Sequence, residues 1–179
     1  TGKFAVSGVG TNNEITKGPD GHMWVTLDDT NDVAEITPKG KVKEYDATDI
    51  SNPVGIASGP GGPLWVTQSG GVAVFDPSDP DAAEKFTIND IADPRPIVRG
   101  PDGNMWTVSG QNVIRIPVAD PTKAVSFPVI DAGRDIDRGK DGNLWVADFG
   151  GQVVRVDTDG NAKALDTGTG SGLQAIAAG

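Results

Sequence analysis

The 179-residue chain has no cysteine, a single histidine and no run of eighteen apolar residues. The lack of cysteine excludes disulfide bonds and thiolate metal sites. The lack of a long apolar run predicts that no segment spans a membrane. Acidic residues outnumber basic residues by 25 to 15, giving a net charge of −10. Nucleic acid is therefore not expected as a partner, because binding phosphates needs a basic surface.

The sequence does contain a repeated phrase around its four tryptophans. It reads GPDGHMWV at 18–25, GPGGPLWV at 59–66, GPDGNMWT at 100–107 and GKDGNLWV at 139–146. Successive tryptophans are 41, 41 and 39 residues apart. A turn and a short apolar strand that recur about every 40 residues are typical of a β-propeller, whose blades are four-stranded antiparallel sheets. Each tryptophan is expected to pack between neighbouring blades, because one blade alone cannot bury both of its faces.

The register predicts an all-β domain with blades at about 13–50, 54–91, 95–131 and 134–170. Residues 1–10 match an outer strand, and 174–179 match the inner strand of a further blade. Exposed strand edges are a liability. We therefore expect part of a six- or seven-bladed ring, completed by further blades or by a self-partner. A closed four-bladed ring is the alternative.

The phrase GPDGNMW, followed by VIRI or VVRV and then DTDGNAK, resembles the repeat of the streptogramin B lyases (virginiamycin B lyases) over essentially the whole chain. It is also similar to blades of the gluconolactonase and regucalcin group. The lyase resemblance implies a seven-bladed propeller that opens a cyclic depsipeptide by elimination. It further implies a magnesium ion and histidines beside a carboxylate at one mouth of the channel. The gluconolactonase resemblance implies a divalent metal held by Glu, Asn and Asp at that mouth.

The chain departs from the lyase pattern because its only histidine is His22. His22 lies in the turn between the first two strands of its blade, which should be on the face opposite the usual site. A two-histidine apparatus therefore cannot be built from this chain. His22 itself is expected to be an exposed turn residue.

Four polar residues from different blades are predicted to face one shared opening. They are Asn13, Glu14, Asp135 and Asp148. All four are candidate ligands for Mg²⁺ or Ca²⁺, because hard cations take carboxylate and amide oxygens. Glu14, Asp135 and Asp148 are also candidate catalytic groups, since carboxylates on a metal can position a water molecule. The structural alternative is a ring of charges in which Arg95 and Arg134 pair with Glu14 and Asp135.

Two functions fit these observations. One is a lyase-like or lactonase-like enzyme that acts on a cyclic ester or similar small molecule at the channel mouth, with a divalent metal. The other is a non-catalytic module that binds a peptide, glycan or protein at the same mouth. Propellers of this repeat type often form extracytoplasmic sensor or adhesion domains, so an extracytoplasmic or secreted location is expected.

Overall fold

A computed structural model describes residues 6–7, 10, 13–46, 49–168, 170 and 172–177. Within them, sixteen strands form four four-stranded antiparallel sheets, each built from strands that are consecutive in sequence. The predicted all-β propeller architecture is confirmed. The helical structure found there is one 3-10 turn, Pro121–Lys123. Nothing helical in the described ranges is long and apolar enough to cross a bilayer.

The strands follow the predicted repeat. Blade 1 contains β1 (Ile15–Lys17), β2 (Met23–Leu27), β3 (Asp32–Ile36) and β4 (Val42–Tyr45). Blade 2 contains β5 (Ile56–Ser58), β6 (Leu64–Gln68), β7 (Gly71–Asp76) and β8 (Asp79–Thr87). Blade 3 contains β9 (Ile97–Arg99), β10 (Met105–Ser109), β11 (Asn112–Ile116) and β12 (Val125–Pro128). Blade 4 contains β13 (Gly133–Arg138), β14 (Leu144–Asp148), β15 (Gln152–Val156) and β16 (Ala162–Asp166).

The first strand of each blade lies innermost, and β1, β5, β9 and β13 contact one another in that order. Each blade therefore has two ends. At the mouth end the first strand begins and the second strand ends. At the turn end lies the tight turn between these two strands. This separation decides which residues can share a site.

The repeated phrase has a physical reason at the turn end. A Cβ on its first glycine would lie within 2.3–2.6 Å of the indole of the same phrase, so no side chain fits at Gly18, Gly59, Gly100 or Gly139. The turn aspartate accepts the indole N–H in three blades: Trp24 to Asp20 (3.1 Å), Trp106 to Asp102 (2.9 Å) and Trp145 to Asp141 (3.2 Å). The phrase thus encodes one packed unit of turn and ring.

Three of the four tryptophans are buried between blades, as predicted. Trp24, Trp65 and Trp106 are at most 2% exposed. Each clusters with side chains of the following blade, for example Trp24 with Phe75 at a ring-centroid distance of 5.6 Å. Trp145 is only half-buried, because no strand of the described residues packs on that face of blade 4.

Two threonine hydroxyls join neighbouring blades at the mouth end. Thr26 Oγ1 donates to the carbonyl of Val54 at 2.8 Å, and Thr67 Oγ1 donates to the carbonyl of Arg95 at 2.7 Å. The same oxygens accept the backbone N–H groups of Glu14 and Gly55. The starts of β1 and β5 are therefore fixed to their own blades and to the next ones.

The structure differs from the expected strand limits in places. β8 begins already at Asp79, because Asp76 Oδ1 accepts the N–H and the hydroxyl of Ser78 and closes a tight hairpin. Residues 172–177 are not in a strand. Most of the outer strand expected at 1–10, and the last two residues of the inner strand expected at 174–179, lie outside the described residues.

Candidate functional site

Glu14 lies at the mouth end of blade 1, directly before β1. Its Oε2 accepts the backbone N–H of Ile56 in blade 2 at 3.0 Å. The pKa of Glu14 is raised to about 7, mainly because the carboxyl group is buried. The Ile56 N–H opposes this shift, and the charge of Asp135 contributes to it. A carboxyl group with a pKa near neutrality can both accept and donate a proton under physiological conditions.

Asp135, in β13, holds the same position in blade 4 that Glu14 holds in blade 1. Its Oδ2 accepts the N–H of Ile176 at 2.8 Å, and its Oδ1 accepts the N–H of Ile136 at 2.8 Å. Burial raises the pKa of Asp135 against these two hydrogen bonds. Because the charge of Asp135 acts on Glu14, the structure brings these two predicted residues into one electrostatic field.

Asn13 and Asp148 are engaged with the backbone of the mouth. Asn13 Oδ1 accepts the N–H of Asp28 at 3.0 Å. Asp148 is 1% exposed, and its carboxylate accepts the N–H of Ala132 at 2.7 Å and that of Asp131 at 3.4 Å. Gln68 and Ser109 occupy the position of Asp148 in blades 2 and 3. They likewise accept a backbone N–H from the segment that leads into their own blade. Asp148 therefore fixes that segment in blade 4.

A polar pocket of about 520 Å³ opens at the mouth end. Its lining is Asp28, Asp29, Asn52, Val54, Ser69, Asp93, Pro94, Arg95 and Arg134. The predicted pairing of Arg95 and Arg134 with Glu14 and Asp135 is wrong. Arg95 Nη2 donates to Asp93 Oδ2 at 2.6 Å, and the guanidinium of Arg134 lies 4.6 Å from the ring centroid of Phe149. Both arginines leave a buried Nε without a partner among the described residues.

The expectation that His22 is an exposed turn residue is also wrong. Its side chain is 30% exposed, and Nδ1 contacts Glu35 Oε1 and lies 3.5 Å from Asp20 Oδ2. Within the described part of the chain, these residues form the one group of three acidic or imidazole side chains whose ligand atoms all lie within 4.8 Å of one another. The predicted mouth residues Glu14, Asp135 and Asp148 do not form such a group.

Sequence reasoning missed Asp20 and Glu35 as partners of His22, and Asp93 as the partner of Arg95. A signal for Glu35 exists in the repeat. Glu35 pairs across the strands with Trp24, and the residues that pair with Trp106 and Trp145 are arginines. A glutamate at a position that is arginine in blades 3 and 4 and Val74 in blade 2 coincides with the only histidine of the chain.

Comparison with known proteins supports a lyase relationship. The virginiamycin B lyase family matches residues 3–178. A catalytically inactive histidine-to-alanine variant of virginiamycin B lyase from Staphylococcus aureus, solved with quinupristin, is 26% identical with a TM-score of 0.84. That match covers 92% of this chain and 59% of the lyase chain. The chain thus spans less than two thirds of the lyase.

Two more distant structures share the fold. A protein described as a gluconolactonase is 14% identical with a TM-score of 0.66, and the match covers 87% of this chain and 63% of that one. The extracellular domain of a protein described as a hybrid two-component system from B. thetaiotaomicron is 18% identical with a TM-score of 0.70. That match covers 88% of this chain and 22% of the other. Among curated proteins, none matches the sequence.

Proposed function

The chain belongs to the virginiamycin B lyase family, and from this premise we propose that it supplies part of the mouth of a propeller that opens a cyclic ester or a similar small molecule. The observation that carries the proposal is the mouth pocket, a polar concave surface that Arg95 and Arg134 line together with Asp28, Asp29 and Asp93. A small ligand with carbonyl or carboxylate oxygens suits such a pocket, because a few convergent polar groups fix its orientation.

The two arginines supply positive charge where an ester would bind. Arg95 and Arg134 each retain an Nε–H that has no acceptor among the described residues. When an ester opens by elimination, its carboxylate departs with a negative charge. Donors aimed at developing charge lower the barrier most when they are already in place. We assign both arginines to the binding of substrate oxygens.

Glu14 is the proposed proton acceptor. Elimination removes a proton from the carbon next to a carbonyl as the ester bond breaks, so the reaction needs a base close to the mouth. The raised pKa of Glu14, at about 7, keeps this carboxyl basic enough to take a proton while still partly ionised at neutral pH. Asp135 raises the pKa further, so its role would be electrostatic.

A divalent metal at the mouth stays a prediction. Glu14 Oε2, Asn13 Oδ1 and both carboxylate oxygens of Asp135 and Asp148 already accept backbone N–H groups. These four residues on their own do not offer the open set of oxygens that Mg²⁺ or Ca²⁺ requires. The proposed proton transfer therefore involves only the side chains of this chain. Calorimetry with MgCl₂ and CaCl₂ on the wild type and Glu14→Gln tests the metal directly.

The activity is tested with quinupristin, the compound solved with the related lyase. The purified protein is incubated with quinupristin and MgCl₂, and the products are separated by chromatography and weighed by mass spectrometry. Elimination leaves the mass unchanged and hydrolysis adds one water. We expect ring opening that Glu14→Gln abolishes and that Glu84→Gln, on the exposed outer strand β8, leaves intact. If the protein neither binds quinupristin nor forms a product from it, the proposal is overturned.

A second candidate function is ligand binding without catalysis, at the same mouth and for a peptide, glycan or protein. The observation that favours it is the position of His22 at the turn end, since the related lyase variant without one histidine is described as catalytically inactive. Binding of quinupristin without any product would support this candidate. An extracytoplasmic location is proposed with it, in line with the extracellular domains that share the fold.

A further inference from the structure

The turn end of blade 1 contains a group of side chains that the mouth site does not use. Asp20 and His22 come from the turn before β2, and Glu35 comes from β3. Their ligand atoms all lie within 4.8 Å of one another. The side chains are 28%, 30% and 16% exposed, respectively, so the group is shielded but still open to solvent.

Residues outside the group hold both carboxylates in place. The indole of Trp24 donates to Asp20 Oδ2 at 3.1 Å, and the hydroxyl of Tyr45 donates to Glu35 Oε2 at 2.7 Å. Glu35 Oε1 remains directed at His22 Nδ1. Outer partners of this kind orient the ligands of metal sites.

Blades 3 and 4 show a different set of residues at this place. In blade 4 the equivalents of Asp20, His22 and Glu35 are Asp141, Asn143 and Arg155, and Arg155 Nε donates to Asp141 Oδ2 at 3.0 Å. In blade 3 they are Asp102, Asn104 and Arg115. A guanidinium therefore neutralises the turn aspartate in blade 4. In blade 1 that cation is replaced by a second carboxylate.

Near Asp20, His22 and Glu35, acidic side chains outnumber the lysine that could neutralise them. Lys43 pairs across the strands with Glu35, but its Nζ lies over the ring of Tyr45, 4.1 Å from the centroid. Asp81 adds a further negative charge near Tyr45. Two carboxylates and one imidazole thus converge where blades 3 and 4 place an arginine.

We propose that Asp20, His22 and Glu35 bind one divalent transition-metal ion, with Zn²⁺ as the best fit. One imidazole nitrogen with two carboxylate oxygens is a ligand set that suits Zn²⁺ better than the all-oxygen sets of Mg²⁺ and Ca²⁺. Three protein ligands leave one position of a tetrahedral ion open to water. The ion would tie the turn to β3 at the place where Arg155 ties the turn to β15 in blade 4.

The repeat itself supplies variants that should preserve the fold. Glu35→Arg introduces the residue that blades 3 and 4 carry at this position, and His22→Asn introduces the residue of Asn104 and Asn143. Asp102→Asn, in blade 3, is the matched control for a change in a turn aspartate. Glu14→Gln is the control for binding at the mouth.

Isothermal titration of the purified, metal-free protein with ZnCl₂ is expected to show one ion per chain, and thermal unfolding is expected to show a Zn²⁺-dependent rise in Tm. Glu35→Arg should abolish both effects, and His22→Asn should weaken binding. Tyr45→Phe, which removes only an outer partner, should weaken binding by about tenfold or more. Asp102→Asn and Glu14→Gln should bind Zn²⁺ as the wild type does.

Three results would overturn the proposal. The first is a wild type that binds no Zn²⁺. The second is stoichiometric binding that survives Glu35→Arg in a variant whose unfolding curve shows an intact fold. The third is loss of Zn²⁺ binding in Glu14→Gln alone, which would place the ion at the mouth. None of these outcomes depends on the proposed lyase activity.

Discussion

Carboxyl groups lie at both ends of the blades. The pKa shifts of Asp102 and Asp141 at the turn end are opposite in direction to those of Glu14 and Asp135 at the mouth end. At the turn end of blade 3, burial raises the pKa of Asp102, but hydrogen bonds from Asn104 and Trp106 outweigh it and the net shift is downward. In blade 4 the indole N–H of Trp145 is the main cause of the lowered pKa of Asp141. At the mouth end, burial dominates and raises the pKa values of Glu14 and Asp135.

This difference distinguishes carboxyl groups that stabilise the fold from carboxyl groups of the candidate site. Asp102 and Asp141 are satisfied acceptors within a repeated unit, so their ionised forms stabilise the fold. Glu14 and Asp135 are buried with fewer donors, so their ionised forms cost stability. Carboxyl groups with raised pKa values in a cleft are a recognised mark of functional positions. Blade 1 is the exception at the turn end, because His22 and Glu35 replace the neutral and basic residues of blades 3 and 4.

The largest expected effect tests the scaffold. Trp106→Ala removes a fully buried ring between blades 3 and 4 and should lower the free energy of unfolding by about 3–5 kcal/mol in urea denaturation. Trp145→Ala, at the half-buried equivalent in blade 4, should cost clearly less. Equal losses would mean that interblade packing does not distinguish these two rings.

The next effect tests the mouth end through pH. The pKa of Glu14 is raised from 4.5 to about 7 in the folded state. The contribution of its protonated form to the free energy of unfolding is therefore fully present below pH 4.5 and is lost as pH rises through 7. The loss amounts to about 3 kcal/mol, at 1.36 kcal/mol per pKa unit. Glu14→Gln should remove this pH dependence from urea unfolding curves measured between pH 4 and pH 8. An unchanged slope would contradict the raised pKa.

A third prediction concerns the buried acceptor of blade 4. Asp148→Ala leaves the N–H groups of Ala132 and Asp131 without their acceptor, which should cost about 1–3 kcal/mol of unfolding free energy. Asp148→Asn retains one acceptor oxygen and should cost less. If both variants unfold like the wild type, the hydrogen bonds do not fix this segment.

The smallest effect compares two indoles at the turn end. Trp106 donates to Asp102, whereas the Nε1–H of Trp65 is buried without a partner among the described residues, because Gly61 stands where the other blades have aspartate. Trp106→Phe should therefore cost about 1 kcal/mol more than Trp65→Phe, measured side by side in urea. An equal cost would show that the indole–aspartate bond adds nothing.

Blade 2 explains why an aspartate cannot simply be inserted there. Gly61 has a φ of +83°, a left-handed conformation that disfavours a side chain. In blades 1, 3 and 4 the left-handed residue of this turn is the glycine after the aspartate, as at Gly103 with a φ of +81°. The turn of blade 2 has thus changed its backbone geometry along with its sequence.

The sequence predicts what is local and repeated. The turn phrase, the strand order and the burial of Trp24, Trp65 and Trp106 follow from a pattern within single blades. The contact of His22 with Glu35 did not follow, because it depends on which residues face each other across two strands. Likewise, Arg95 pairs with Asp93 only two residues away, a local alternative that outcompeted the longer-range pairing with Glu14 or Asp135.

The half-buried state of Trp145 has an optical consequence. Indole emission shifts to longer wavelengths when the ring contacts water, and collisional quenchers reach only rings that solvent can reach. Trp145 should therefore account for most of the acrylamide-sensitive fluorescence of the chain, while Trp24, Trp65 and Trp106 emit from the interior. Any molecule that covers this face of blade 4 would shift the emission to the blue and protect it from quencher, without an added label.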